Sequence, residues 1–518
     1  MKKRTVENKA SVKNGITRLV VAAVAIVLQF LLILVLWMRV SAAFGWISIA
    51  LQVLALILAI GIFSQERTSA MKMSWLILIG VSPIIGLILY SVLGFNSFSR
   101  LMKKRYDSLE EKLFPMNPQD PAVMERLERQ DTRIAHISRY IADYAHYPVL
   151  QNTKLTYYPE ASDALNAQLE DLRRAEKFIF LEYYAIEDSE AFHRIEKVLY
   201  ERAQAGVEVR IFYDDIGSIS FIDTDFVARM ERRGFKCRVF NPFAPVMNVF
   251  MNNRDHQKIT VIDGKIGYTG GYNLADEYFN ITHPYGYWKD AGVRLEGEAV
   301  RSLTVTCLEM WNGNRKGTQD ADFTPYLPPV TPPPDAAGFV QPYADTPLDN
   351  EYVGENVYIS LIEQAERYIW FVTPYLIITD EMIHALSLAA KRGVDVRIVT
   401  PGIPDKKSVY SLTRSYYHCL TKNGVRIYEY TPGFDHAKVC ITDDRAATCG
   451  TFNLDFRSLY HHFENGVLFY DCPAVQDVKA DLIATMAQSH EVTEQYTSGR
   501  SAVMRFSQLI LRLLSPLL

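Results

Sequence analysis

One five-residue pattern occurs twice in this 518-residue chain, in the same register. His256, Lys258, Asp263, Gly270 and Asn273 form the first copy, and His436, Lys438, Asp443, Gly450 and Asn453 the second. At residue frequencies of roughly 5% each, five fixed positions match by chance about once in a few million starts. A second copy in register removes coincidence. The flanks repeat too: Ala175-Glu-Lys-Phe-Ile-Phe followed by Ala205-Gly-Val-Glu-Val-Arg-Ile-Phe echoes Ala365-Glu-Arg-Tyr-Ile-Trp followed by Arg392-Gly-Val-Asp-Val-Arg-Ile-Val. Each half reads strand, helix, strand, helix, strand and then a His-Lys strand. This alternation predicts an α/β sandwich in each half, and the repeat predicts a pseudo-twofold pair with His256 facing His436.

The residue types carry the chemistry. Next to the apolar stretches Ile259-Thr-Val-Ile262 and Val439-Cys-Ile-Thr442, a His and a Lys two positions apart share one face of a strand. Imidazole serves as nucleophile or base, and imidazolium as acid, near neutral pH, while an adjacent ammonium stabilises an anion. Two such pairs brought together can attack a phosphodiester with one His and protonate its leaving oxygen with the other. Asp263-Gly264 lies between two apolar runs as a hairpin turn does, which gives Asp263 and Asp443 a structural reading beside a catalytic one. An acidic residue follows each motif in matching context, Asp290-Ala-Gly-Val and Glu464-Asn-Gly-Val. A carboxylate bound to one imidazole nitrogen fixes the tautomer and leaves the other nitrogen free to react.

These residues resemble the motif of the phospholipase D superfamily, His-x-Lys, four residues, Asp, six residues, Gly-[Gly/Ser]-x-Asn. Within it the chain resembles the bacterial cardiolipin synthase family, in the run Asp214-Asp-Ile-Gly-Ser218, the run Gly270-Gly-Tyr-Asn273-Leu-Ala-Asp-Glu277-Tyr, the hydrophobic N-terminus and the closing Ser515-Pro-Leu-Leu518. The similarity spans nearly the whole chain. Thr451 stands where Gly or Ser is usual, and Ala344-Asp-Thr-Pro347 where a Ser-Gly-Pro turn is usual. The resemblance implies one site in which His256, Lys258, Asp263, His436, Lys438 and Asp443 are catalytic and Asn273 and Asn453 bind phosphate oxygens. Asp290 would orient His256, and Glu464 would orient His436. It implies transfer of a phosphatidyl group from one phosphatidylglycerol to another through a phosphatidyl-histidine, with His256 attacking. No metal or other cofactor is required, because two Lys and a protonated His supply the positive charge. Water or another alcohol as acceptor would make a phospholipase D or a different phosphatidyltransferase.

Membrane segments are legible independently of the motifs. Leu19 to Met38 and Ala42 to Phe63 are apolar runs separated by Arg39, each long enough for a spanning helix of ~20 residues, and together they predict a transmembrane hairpin. Trp75 to Gly94 contains Pro83 and Gly86 and reads as a re-entrant or interfacial segment. Lys2, Lys3, Arg4, Lys9, Lys13 and Arg18 place the N-terminus in the cytoplasm. Two spans then return the catalytic halves to the cytoplasmic face of the cell membrane. The resulting division is a membrane region 1–98, a helical connector 99–148, a first half 149–324, a Pro-rich linker 325–345, a second half 346–498 and an amphipathic helix 499–518. That last helix suits an anionic bilayer surface or the protein's own core. Six scattered cysteines without a Cys-x-x-Cys pair argue against structural zinc. A formal net charge of −4 argues against an extended nucleic-acid surface. His461 and His462, just before Glu464, read as packing or surface residues ahead of an alternative in which they line the site.

Overall fold

The structure, a computed structural model, describes residues 45–93, 97–242, 253–314 and 319–498, together with Leu511, Arg512, Ser515 and a few positions between 20 and 35. The first half contributes β1 (Thr153–Tyr158), β2 (Phe178–Tyr183), β3 (Glu208–Asp214), β4 (Lys236–Phe240), β5 (Arg254–Asp255), β6 (Lys258–Ile262), β7 (Ile266–Gly270), β8 (Tyr287–Lys289) and β9 (Gly292–Gly297). The second contributes β10 (Phe339–Asp345), β11 (Tyr368–Val372), β12 (Leu376–Ile377), β13 (Asp395–Pro401), β14 (Arg426–Tyr430), β15 (Gly433–Asp435), β16 (Val439–Thr442), β17 (Ala446–Gly450), β18 (Leu454–Asp455), β19 (His462–Tyr470) and β20 (Ser489–Glu491). The first sheet runs β1-β9-β7-β6-β2-β3-β4 and the second β10-β19-β17-β16-β11-β13-β14-β20. Apart from β20, the two orders correspond strand for strand: the repeated sequence is a repeated topology, as the alternation of strand and helix predicts.

Strand alternation sorts the core. Phe178 and Phe180 on β2, with Tyr368 and Trp370 on β11, join one apolar cluster shared by both halves, to which helices Val300–Gly313 and Ala474–Ala487 add Leu303, Leu308, Val478 and Leu482. The intervening Ile179 and Leu181 pack outward with helices Ala161–Arg173 and Glu190–Gln204. Ile369 and Phe371 do the same with helices Val353–Gln364 and Asp380–Lys391. Side chains two apart share a face, so the central strands, buried on both faces, read as continuous apolar runs.

The Asp of each motif belongs to this framework. Asp263 (φ 53°) and Gly264 (φ 65°), like Asp443 (φ 54°) and Asp444 (φ 62°), are left-handed, the conformation of a two-residue hairpin. The Asp263 carboxylate accepts from the backbone N–H of Glu176 (2.8 Å), Lys177 (2.7 Å) and Phe178 (2.9 Å). Asp443 accepts from Glu366 (2.8 Å), Arg367 (2.8 Å) and Tyr368 (2.9 Å) in the same way. Each carboxylate thus ties the start of a central strand to the turn after the His-Lys strand, which corrects the placing of Asp263 and Asp443 among the catalytic groups. Asp263→Ala, leaving the buried Phe178 N–H and the partly buried N–H groups of Glu176 and Lys177 without their acceptor, is expected to lose about 1–3 kcal/mol of stability. Denaturant unfolding checks the loss, and turnover per folded molecule should survive it.

Two boundaries move. The Pro-rich linker ends at Gly338, because Phe339–Asp345 is a strand paired antiparallel with β19, Pro342 opposite Val467. Val340 exchanges backbone hydrogen bonds with Leu150 (3.0 and 2.8 Å). Pro342, two residues on, therefore turns its missing N–H away from β19, where an edge strand tolerates it. The run Trp75 to Gly94 is not one helix: it breaks at Ser82 into Ser69–Val81 and Pro83–Leu93. Trp75 stacks edge-on to Tyr90 at 5.1 Å, and a Cβ on Gly86 would meet Ile79 Cα at 2.7 Å. These are the contacts of an antiparallel helical hairpin. Helix Gly45–Phe63 packs on that pair. Among the described residues no helix is long and apolar enough to cross a membrane, and most of the run Leu19 to Met38 lies outside them. Helices Ser97–Leu113, Pro121–Gln130 and Thr132–Tyr144 occupy the connector. At the C-terminal end Arg512 donates to Ser415 O (3.0 Å) and covers the Tyr416 ring at 4.1 Å, so that part of the segment 499–518 lies on the protein's own surface.

Candidate active site

The halves exchange short strands on either side of the pseudo-twofold axis. β5 pairs with β19, Arg254 opposite His462 and Asp255 opposite Phe463. β15 pairs with β8, Phe434 opposite Trp288 and Asp435 opposite Lys289. Beyond each exchange a motif His follows: the His256 N–H donates to Phe463 O (2.9 Å) and the His436 N–H to Lys289 O (2.8 Å). Each His is therefore anchored to the residue just before the other half's carboxylate. A buried ion pair fixes one of these strands. Arg254 Nε donates to Asp214 Oδ2 (2.8 Å), which also accepts from the Asp255 N–H (3.0 Å). This gives the Asp214-Asp-Ile-Gly-Ser218 run a local role.

The carboxylates consequently pair crosswise. His256 Nδ1 lies 2.9 Å from Glu464, and His436 Nδ1 lies 2.7 Å from Asp290 Oδ2. The expectation that each carboxylate orients the His of its own half is corrected: a twofold axis exchanges the partners, which a repeat read along one chain does not reveal. The residue after each motif Gly fits its own carboxylate. A Cβ on Gly271 would stand 2.1 Å from Asp290 Oδ1, whereas Thr451 uses its hydroxyl to donate to Glu464 Oε2. Ser458 Oγ donates to the other Glu464 oxygen at 2.7 Å. Asn465 Nδ2 donates to Thr269 Oγ1 (2.8 Å), a further tie between the halves.

Both lysines fold over their own histidines. Lys258 Nζ donates to His256 O at 2.5 Å. Lys438 Nζ donates to His436 O and lies 2.8 and 3.0 Å from the two ring nitrogens. Burial, then the charges of Lys258, His462, Lys438 and His436, holds His256 far below the usual imidazole range. Burial and Lys438 push His436 down to about 4 against the pull of Asp290. Both shifts favour the neutral imidazole. Asn273 accepts from the Ala185 N–H (3.1 Å) and donates to the Tyr278 hydroxyl (2.8 Å), so its amide supports the loop around the site. Among the described residues Asn453 Oδ1 is buried without a hydrogen-bond partner.

Further rings line the two imidazoles, among them Tyr184, 4.9 Å from His256, and Tyr278, 5.3 Å from His436. His462 lies 5.3 Å, ring to ring, from His256, and Trp288 lies 5.3 Å from His436. His462 is buried here, not at the surface. Its position two residues before Glu464, matching Trp288 two before Asp290, was the available signal.

This geometry defines a phospholipase D-type fold and site, with one His-Lys pair from each half. Residues 169–288 and 358–486 match the family described as cardiolipin synthase, PLD-like domain. Residues 50–94 match the one described as phospholipase D-nuclease N-terminal. A cardiolipin synthase of Halalkalibacterium halodurans is 32% identical over 504 residues, 95% of this chain and 99% of that protein. One of Geobacillus kaustophilus is 32% identical over 487 residues, 92% of this chain and 94% of that protein. The phosphatidylserine synthase of Haemophilus influenzae has the same fold, with a TM-score of 0.56 at 15% identity over 74% of this chain and all of that one. The chain belongs to the cardiolipin synthase family of the phospholipase D superfamily.

Proposed function

We propose that the protein is a cardiolipin synthase that joins two phosphatidylglycerol molecules by double displacement at phosphorus. The observation that carries this reading is the crosswise pair of His–carboxylate contacts, which sets two imidazoles in one buried site with each Nδ1 held by a carboxylate, leaving Nε2 as the reacting nitrogen once Lys438, 3.0 Å from His436 Nε2, turns to the phosphate. His256 Nε2 attacks phosphorus, and the departing glycerol oxygen takes a proton from His436, leaving a phosphatidyl-histidine. The hydroxyl of a second phosphatidylglycerol returns a proton to His436, attacks phosphorus and frees His256. The products are cardiolipin and glycerol. The assignment of attack to His256 follows the family resemblance, since the pseudo-symmetry admits the reverse. An anionic phosphodiester between Lys258 and Lys438 offsets their charge, which permits His436 to hold the proton it must donate. The unpaired amide oxygen of Asn453 is an acceptor, so it suits a hydroxyl of the substrate and not an anionic phosphate oxygen.

Incubating the purified protein with labelled phosphatidylglycerol in mixed micelles containing EDTA tests the reading. Cardiolipin and equimolar glycerol are expected. Phosphatidic acid instead would establish water as the acceptor and overturn it.

The lysines predict the alkaline limb of the pH profile. Burial, with Lys438 adding to it, brings Lys258 down to about 7, and burial brings Lys438 to about 8. Both are cationic below those values and neutral above them. The kcat/KM, which reports the free enzyme, should therefore fall as pH rises through about 7–8. The fall in kcat should come at higher pH, because bound phosphate retains the ammonium protons. A flat kcat/KM up to the normal lysine range would remove the two ammonium groups from charge stabilisation.

For localisation we infer a membrane-anchored enzyme with its catalytic halves on the cytoplasmic face of an anionic bilayer. Helix Gly45–Phe63 leaves Trp46 and Phe63 70% and 71% exposed, together with several aliphatic side chains between them. Apolar surface of this extent fits lipid contact.

A further inference from the structure

His462 is 92% buried, being 8% exposed, and neither of its ring nitrogens has a hydrogen-bond partner among the described residues. Its Nδ1 lies 3.5 Å from Glu464 Oε1, and the same carboxylate lies 2.9 Å from His256 Nδ1. One donor atom from each of His256, His462 and Glu464 falls within 4.8 Å of the other two. Ligands of a tetrahedral zinc ion sit about 2.0–2.2 Å from the metal, so adjacent donors lie roughly 3.3–3.5 Å apart. The observed spacing reaches that with small side-chain movements. The carboxylate is supported as metal-bound carboxylates are, by the Thr451 hydroxyl and by Ser458 Oγ at 2.7 Å. The other half is an internal control: there Trp288 takes the place of His462, and among the described residues His436 and Asp290 have no third donor.

We propose that His256, His462 and Glu464 form an inhibitory site for a divalent transition ion of the zinc class. Two imidazoles and a carboxylate are a donor set suited to zinc or cobalt. A metal on His256 Nδ1 displaces the proton there to Nε2, and the ring keeps its net charge. Nε2 then has no lone pair with which to attack phosphorus or accept a proton. The ion also takes the carboxylate that orients the ring. Lys258 and Lys438 repel a cation, so the affinity is expected on the order of micromolar, weaker than that of structural zinc. The inhibition rests on the transferase reading; the binding does not.

The test uses the full chain, stripped with EDTA, in detergent micelles. Co2+ should give the visible absorption of a tetrahedral site, and Zn2+ should displace it. In phosphatidylglycerol turnover, Zn2+ should inhibit by lowering kcat, with reversal by EDTA. His462→Asn and His462→Phe should lose the cobalt band and about tenfold or more of the zinc sensitivity, each variant's inhibition being read against its own metal-free turnover. No cobalt band in the wild type, or equal zinc sensitivity in both variants, would overturn the site. A cobalt band that depends on His462 in a chain inactive on phosphatidylglycerol would uphold the metal site and overturn the transferase reading instead.

Discussion

His256→Ala and His436→Ala are each expected to lower phosphatidyl transfer by about 10⁴-fold or more. In a double displacement both imidazoles act in both steps: one forms and breaks the bond to phosphorus, and the other gives and then takes the proton. The motif lysines donate to the carbonyls of their own histidines, the ring beside His436 is Trp288, which cannot move protons, and the imidazole of His462 stands 5.3 Å, ring to ring, from the position of His256. The double variant should be no worse than the worse single variant, because groups that act as a unit are not additive. Since both rings come from one chain, mixing the two single variants should not restore activity. Cardiolipin and glycerol formed from labelled phosphatidylglycerol provide the measurement, and near-normal turnover by either single variant would sink the two-histidine scheme.

Much of this arrangement was legible because it is local and repeated. The His-x-Lys spacing puts two side chains on one face of a strand, and the duplicated flanks announce two sheets of corresponding strand order. What escaped depends on groups far apart in sequence. The pairing of His256 with Glu464 spans 208 positions, and it follows from strand exchange between halves, which no periodicity encodes. Pro342 suggested linker because proline is excluded from inner strands; its edge position and its register against Leu150 make it acceptable. Hydropathy could not show that the run beginning at Trp75 doubles back at Ser82, because Pro83 is as compatible with the start of a helix as with a kink. The motif Asp residues were ambiguous for a different reason. Conversion of an Asp-Gly turn into a clamp on three backbone N–H groups needs a partner segment some 85 residues away.

Crosswise pairing makes the carboxylates separable by experiment. Glu464→Gln should disable His256, and Asp290→Asn should disable His436, each lowering transfer by about 10²–10⁴-fold, since a neutral amide neither fixes the tautomer nor stabilises an imidazolium. Phosphatidyl-p-nitrophenol distinguishes the two rings, because its leaving group departs without a proton. A variant crippled in the proton-donating His should still release nitrophenolate in a single burst and retain the lipid on the protein. A variant crippled in the nucleophile should release none. His256→Ala and Glu464→Gln should therefore fall in one class, and His436→Ala and Asp290→Asn in the other, whichever ring is the nucleophile. Pairing within each half would instead group His256→Ala with Asp290→Asn. The size of the carboxylates sharpens the test. Asp290→Glu must find room beside Gly271, where a Cβ would already stand 2.1 Å from Asp290 Oδ1. Glu464→Asp withdraws its carboxylate from Thr451 and Ser458. Neither exchange should rescue its half, because each loop is built around the length of the acid it holds.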